Sequence, residues 1–322
     1  MTPRKIFAAA ALVICLLTLS GCGAGASGKV EQNGKPRLAV VASFYPLQFA
    51  TEQIGAGHVA ITSLTKPGAE PHDIELTPRD VADVSQARLV VFEKGLQGAV
   101  DKAVESQGAG RGLDVAPAAN LRLLFQPTVG AQAPAAGDNA PGSTDPHFWL
   151  DPQRYSDVAK AISLRLSSVD PAHKADYAKN ANAFQARLAA LDQDFRTGLA
   201  HCSRKDIVTS HAAFGYLAKR FGLNQIAING LSPDQEPTAS DLAAVSTYAK
   251  AHAVTTIYAE TLVSPAIAET VAREAGAKMA TLDPIELTFR TSGGRYVPPL
   301  QGVRCRCWLG CAGGRGPAVA GV

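Results

Sequence analysis

The sequence predicts an α/β fold: two Rossmann-like βαβ lobes joined by one long rigid helix, with a ligand site in the cleft between the lobes. Three observations carry this. Short apolar runs alternate with helical periodicity over residues 37–169 and again over 202–295, the pattern of parallel βαβ units. Between them, Tyr177, Ala181, Phe184, Leu188, Leu191, Phe195 and Leu199 recur every three or four residues, with no glycine before Gly198. That spacing makes one amphipathic helix about 40 Å long within residues 170–201. Finally, 322 residues at 46% hydrophobic and 18% charged suffice for two sizeable cores.

Each element has its own local reason. In the first lobe, "RLAVVASF" (37–44), "VAITSLT" (59–65) and "RLVVFEKG" (88–95) read as buried strands. "PLQFATEQIG" (46–55) and "LQGAVDKAVESQ" (96–107) have helical spacing. "TPRDVADVSQA" (77–87) is a helix with Thr77 as N-cap and Pro78 at its first position, where a missing N–H costs nothing. In the second lobe, strands are expected at 206–211, 224–230, 254–260 and 278–283. Helices are expected at 212–222, 238–253 and 264–276.

The N-terminus predicts export. Arg4 and Lys5 precede the apolar run 6–19, too short to span a bilayer and shaped like a secretory signal. The run closes on "LSGC", which resembles the bacterial lipobox. Residues 1–21 are then a lipoprotein signal peptide and Cys22 the lipidated mature N-terminus. The alternative is an ordinary signal with an incidental cysteine. Diacylglycerol supplies two chains, enough for stable anchoring. Residues 22–36, small and polar, read as a flexible tether. The chain is expected outside the cytoplasm, anchored at the cell membrane as a monomer.

A formal net charge of +3, with no phosphate-binding glycine loop and no basic stripe interleaved with aromatics, argues against a nucleic-acid partner. The chemistry sits instead at breaks in the α/β pattern. His72 lies in "PGAEPHDIELTP", after the second strand. His147 lies in "TDPHFWLDP", His211 ends "DIVTSH", and Asp283 ends "KMATLD". Crevices beyond the carboxyl ends of parallel strands are where such folds bind ligands. Imidazole nitrogen and carboxylate oxygen together suit four-coordinate Zn²⁺. Pro71, Pro146 and Pro284 stiffen the backbone beside three of these residues, and Phe148 and Trp149 are expected to pack behind the imidazole of His147. Glu260, ending "VTTIYAE", is expected to hold a ligand histidine by hydrogen bond; direct ligation in competition with Asp283 is the alternative. His58, His173, His201 and His252 carry no such placement and read as ordinary surface or helix-end residues.

"ASFYPL", "PGAEPHDIELTP", "DPHFWLDP", "TSHAAFGYLAKRFGL", "GLSPDQEPTASDL" and "LDPIE" together resemble the substrate-binding lipoproteins of bacterial zinc and manganese ABC importers, the cluster A-I family, over roughly residues 37–295. The resemblance implies metal ligation by His72, His147, His211 and Asp283, a stiff helix between lobes, small closure motions, and a permease with its ATPase as partners. It also implies that the protein binds and hands over its metal without being an enzyme. A nitrogen-rich donor set favours zinc over manganese. Three features depart from the family. The loop "LFQPTVGAQAPAAGDNAPGST" (124–144) has no histidine, although many zinc-type members carry a histidine-rich loop there. Ile74 and Leu76 stand where an aromatic and a proline are common. Residues 296–322, with Cys305, Cys307 and Cys311, lack the expected amphipathic helix, and a frameshift would explain them; the partner of Cys202 is left unassigned. Two further functions are weighed. A zinc hydrolase would need an open coordination position and a base such as Glu70, Glu260 or Glu286. A metal-dependent adhesin would use the same fold.

Overall fold

The computed structural model describes residues 29–32, 35–108, 110–127, 140–234, 236–261 and 264–286. The expected signal peptide, Cys22 and the atypical tail lie outside them. Two sheets organise the chain. The first runs β2 (Lys35–Ala42), β3 (Val59–Ser63), β4 (Leu89–Phe92) and β5 (Gly112–Asp114), all parallel, in the spatial order β3-β2-β4-β5. The second has the order β7-β6-β8-β9, also parallel, from β6 (Asp206–Thr209), β7 (Asn224–Ala227), β8 (Thr256–Ala259) and β9 (Lys278–Thr281). One difference from expectation lies in the tether: Lys29–Gln32 forms strand β1, antiparallel to the start of β2.

Helices α1 (Tyr45–Gly55), α2 (Pro78–Gln86), α3 (Gly98–Gln107) and α4 (Ala116–Ala119) belong to the first sheet. Helices α7 (Gly215–Phe221), α8 (Ala239–Ala251) and α9 (Ala266–Ala275) belong to the second. Their starts are written in the sequence. Thr77 accepts the Asp80 amide while the Asp80 carboxylate takes the Thr77 amide, a reciprocal cap on α2. Thr238 and Asp241 repeat the device on α8.

One long helix joins the lobes, and a second packs along it. α5 (Pro152–Val169) opens on Asp151, whose carboxylate accepts the Gln153 amide at 2.9 Å. After a single 3-10 turn, α6 (Lys174–Leu199) runs for 26 residues, about 39 Å at 1.5 Å per residue. Its buried face is the periodic set from Tyr177 to Leu199. That face joins α1, α5 and residues of the second lobe (Ile207, Phe214, Leu217, Tyr258, Leu282) in one continuous apolar cluster. Each sheet has a second core of its own: one with Val41, Val84, Val90 and Val100, the other with Val208, Ile226, Val245 and Val271. Arg220 of α7 reaches Asp192 of α6 and, at 3.3 Å, Asp151 at the start of α5. The lobes are therefore packed on a shared strut rather than tethered by a linker.

Candidate metal centre

Four side chains meet at the carboxyl ends of the two sheets. His211 lies two residues beyond β6 and Glu286 five residues beyond β9; Glu260, directly after β8, stands behind His211. From the other lobe come His72, on the loop after β3, and His147, just before a 3-10 turn at Phe148–Leu150. Local contacts fix each loop. The Gln97 amide group donates to the Pro71 carbonyl at 2.9 Å and to the Thr65 hydroxyl at 3.0 Å, which pins the segment carrying His72. Asp145 accepts both the backbone amide and Nδ1 of His147, at 2.9 and 2.8 Å. Glu260 does the same for His211, at 3.1 and 2.8 Å. Both carboxylates are buried. A carboxylate on Nδ1 puts the proton there and leaves Nε2 free as a donor to a metal. Gly215 leaves room for this: a Cβ at that position would lie 2.5 Å from Asp145 Oδ2.

The Nε2 atoms of His147 and His72 are 3.3 Å apart, and those of His211 and His147 are 3.4 Å apart. Glu286 Oε1 is 3.4 Å from Nε2 of both His147 and His211. All four ligating atoms fall within 4.8 Å of one another. Donors placed about 2.0–2.1 Å from a tetrahedral ion stand roughly 3.3–3.4 Å apart along each edge. Four measured edges have that length. His147 and His211 are fully shielded from solvent, and His72 and Glu286 are buried. Glu286 Oε1 has no hydrogen-bond partner among the described residues, an expensive arrangement for a buried carboxylate unless a cation sits beside it.

Asp283, the expected fourth ligand, stands outside this group. Its Oδ1 accepts the Ile285 amide at 2.8 Å and its Oδ2 accepts the Thr261 hydroxyl. The reason is geometric: both carboxylate oxygens are spent on shaping the turn Asp283–Glu286, and the longer Glu286 side chain reaches the imidazoles. Glu286 entered the sequence reading only as a candidate base; the signal that could have found it is the "LDPIE" segment itself, which holds two carboxylates. Glu260 sits where a residue orienting His211 should. Glu70 lies at the edge, its Oε1 3.9 Å from His72 Nε2. The remaining described histidines are elsewhere: His58 bonds Asp176 at 2.9 Å and stacks on His173, and His252 stacks on Tyr248.

The electrostatics divide the imidazoles. Burial pushes His72 down to about 3, assisted by the neighbouring imidazoles and opposed by Glu286. Burial would depress His147 as well, but its hydrogen bond to Asp145 and the nearby Glu286 carboxylate outweigh it and raise the pKa. Against the same burial, Glu260 and Glu286 raise His211 well above the usual imidazole range. Burial would raise Glu286, yet the imidazoles of His147 and His211 hold it well below the usual carboxylate range. Burial and then the Glu286 charge raise Glu70 to about 7. The pocket thus carries buried negative charge that either protons on two imidazoles or a cation must balance.

Residues 40–298 match the family described as zinc-uptake complex component A, periplasmic. The high-affinity zinc uptake system protein ZnuA of Bacillus subtilis (strain 168) is 36% identical over 278 residues, covering 85% of this chain and 87% of that protein. This chain belongs to that family.

Other relatives agree. The zinc-binding lipoprotein AdcA of Streptococcus pneumoniae is 34% identical over 280 residues, covering 85% of this chain but only 54% of that longer protein. The Zn(II)-bound structure of the ZnuA-like domain of Streptococcus pneumoniae AdcA superposes with a TM-score of 0.69 at 31% identity, covering 85% of this chain and 99% of that one. The laminin-binding protein of Streptococcus agalactiae, described as bifunctional with adhesin and metal transporting activity, superposes with a TM-score of 0.73 at 29% identity, covering 85% of this chain and 99% of that one. The family is one of transport binding proteins that work outside the cytoplasm, and the two parallel-sheet lobes are its architecture.

Proposed function

We infer that this protein is the extracytoplasmic zinc-binding component of an ABC importer, holding one Zn²⁺ on His72, His147, His211 and Glu286 and delivering it to a membrane permease coupled to an ATPase. The observation that carries this is the set of donor separations, 3.3 to 3.4 Å, among three imidazole nitrogens and one carboxylate oxygen in a buried pocket. Three nitrogens and one oxygen suit zinc better than manganese, which prefers oxygen-rich sites. Asp145 and Glu260 orient two of the imidazoles and add negative charge around the ion. Four protein donors fill the coordination shell, so no position is left for an activated water, and a hydrolase has no starting point here. Cys22 serves as the lipid anchor that keeps the protein beside its permease.

The test is metal analysis of protein purified without chelator, followed by competitive titration with zinc and with manganese. One zinc per chain, with zinc preferred, is expected. A stoichiometry of zero, or a preference for manganese, would overturn the assignment.

A further inference from the structure

We propose that Trp149 is a positioning residue for zinc retention: reaching across the cleft from one lobe, it clamps the strained turn that presents Glu286 from the other. The proposal rests on the zinc reading above and adds to it a device that couples the placement of the lobes to the completeness of the metal shell.

Trp149 is buried on the side of the lobe that carries His147. Its ring meets the His147 imidazole edge-on at 5.2 Å between centroids and the Phe44 ring at 5.0 Å. A phenyl group would keep part of this aromatic packing. What the indole adds is one N–H, and it donates to the Pro284 carbonyl at 2.8 Å, with both groups buried. Pro284 belongs to the other lobe and lies two residues before Glu286. Between them is Ile285, with φ +63°. A β-branched residue enters the left-handed region only against strain, because its Cβ substituents crowd the backbone. Such conformations persist where the surroundings over-determine them. Here two contacts do so. Asp283 Oδ1 accepts the Ile285 amide from within the same turn, and Trp149 holds the Pro284 carbonyl from the opposite lobe.

The bond from Trp149 forms only when the lobes lie as they do here. Parting them frees the Pro284 carbonyl. Ile285 can then relax to negative φ, and the carboxylate of Glu286 turns out of the cluster. The zinc shell falls from four protein donors to three, all of them imidazoles. Retention and release are thereby tied to the separation of the lobes.

The experiment measures zinc association and dissociation by stopped flow in the full chain, with excess chelator for the off-rate. A wild-type titration serves as control. Failure of the wild type to bind one zinc would sink the metal assignment itself, whereas the variants address only the clamp. Trp149→Phe keeps an aromatic ring and removes the N–H. It is expected to raise the dissociation rate about tenfold or more while leaving the association rate within about twofold. Ile285→Gly alone, which removes the strain, should dissociate zinc at close to the wild-type rate. Combined with Trp149→Phe, it should restore slow dissociation, because a relaxed turn no longer needs the clamp. Should Trp149→Phe fail to fold, 3-benzothienylalanine at position 149 keeps the bicyclic shape without the donor. Wild-type off-rates in the N–H-less variants overturn the proposal. So does fast dissociation that Ile285→Gly leaves uncorrected, which would mean that Trp149 acts only as packing.

Discussion

Glu286 and Asp283 stand three positions apart on one turn and carry the same functional group, yet only Glu286 keeps an oxygen without a hydrogen bond among the described residues. Asp283 uses both on the Ile285 amide and the Thr261 hydroxyl; Glu286 Oε1 has no such partner among the described residues. Replacing Glu286 by Ala is therefore expected to weaken zinc binding more than replacing Asp283 by Ala, as read by competitive titration; the reverse order would return the ligand role to Asp283. Replacing Glu260 by Ala should cost about 10–100-fold in affinity, the usual loss for an outer partner of a ligating imidazole. The pH dependence has a definite sign. His147 and His211 are raised in the metal-free pocket, and each must be neutral at Nε2 to bind. Protons therefore compete with zinc at a pH higher than free imidazole would suggest, and affinity falls as pH falls, beginning above about 6.5. His72, pushed down to about 3, adds nothing to this until the solution is strongly acid. Calorimetry in buffers of different ionisation enthalpy should show proton release on zinc binding at neutral pH; none would contradict the raised imidazoles.

At the scale of the element, the reciprocal caps at Thr77–Asp80 and Thr238–Asp241 hold the starts of α2 and α8. Replacing Thr238 by Ala should lower stability by about 1 kcal/mol, visible as a drop in melting temperature. Zinc affinity should be unchanged, since α8 carries none of the four donors. The Thr77 cap was legible in the sequence because it is local: a threonine, then proline at the first helical position; the matching cap at Thr238 and the two aspartates came only with the structure. Helix α6 was legible too, since its seven buried residues follow directly from spacing. Strand β1 was not legible. Residues 29–32, Lys-Val-Glu-Gln, have too short an apolar pattern to announce a strand and pair with β2, a contact that spacing along the chain does not encode.

For the whole molecule, the decisive feature is that the largest apolar cluster belongs to both lobes at once. Phe195, on α6, lies in it and is fully buried. Its replacement by Ala should cost about 3–5 kcal/mol. Metal-free protein is expected to unfold in one transition seen equally by far-ultraviolet dichroism and by tryptophan fluorescence; two separated transitions would show that the lobes fold independently. Zinc should raise the midpoint in proportion to the logarithm of its free concentration.

The alternation of strands and helices, the long strut, the Thr77 cap and three of the four side chains in the candidate metal cluster could be read along the chain. Each of these depends on neighbours within a turn or two, or on a histidine stiffened beside a strand end. Which carboxylate stands with the three imidazoles depended on the packed structure. Asp283 and Glu286 carry the same functional group, and what separates them is that the Thr261 hydroxyl and the Ile285 amide occupy the oxygens of Asp283, a matter of folding rather than of order in the chain.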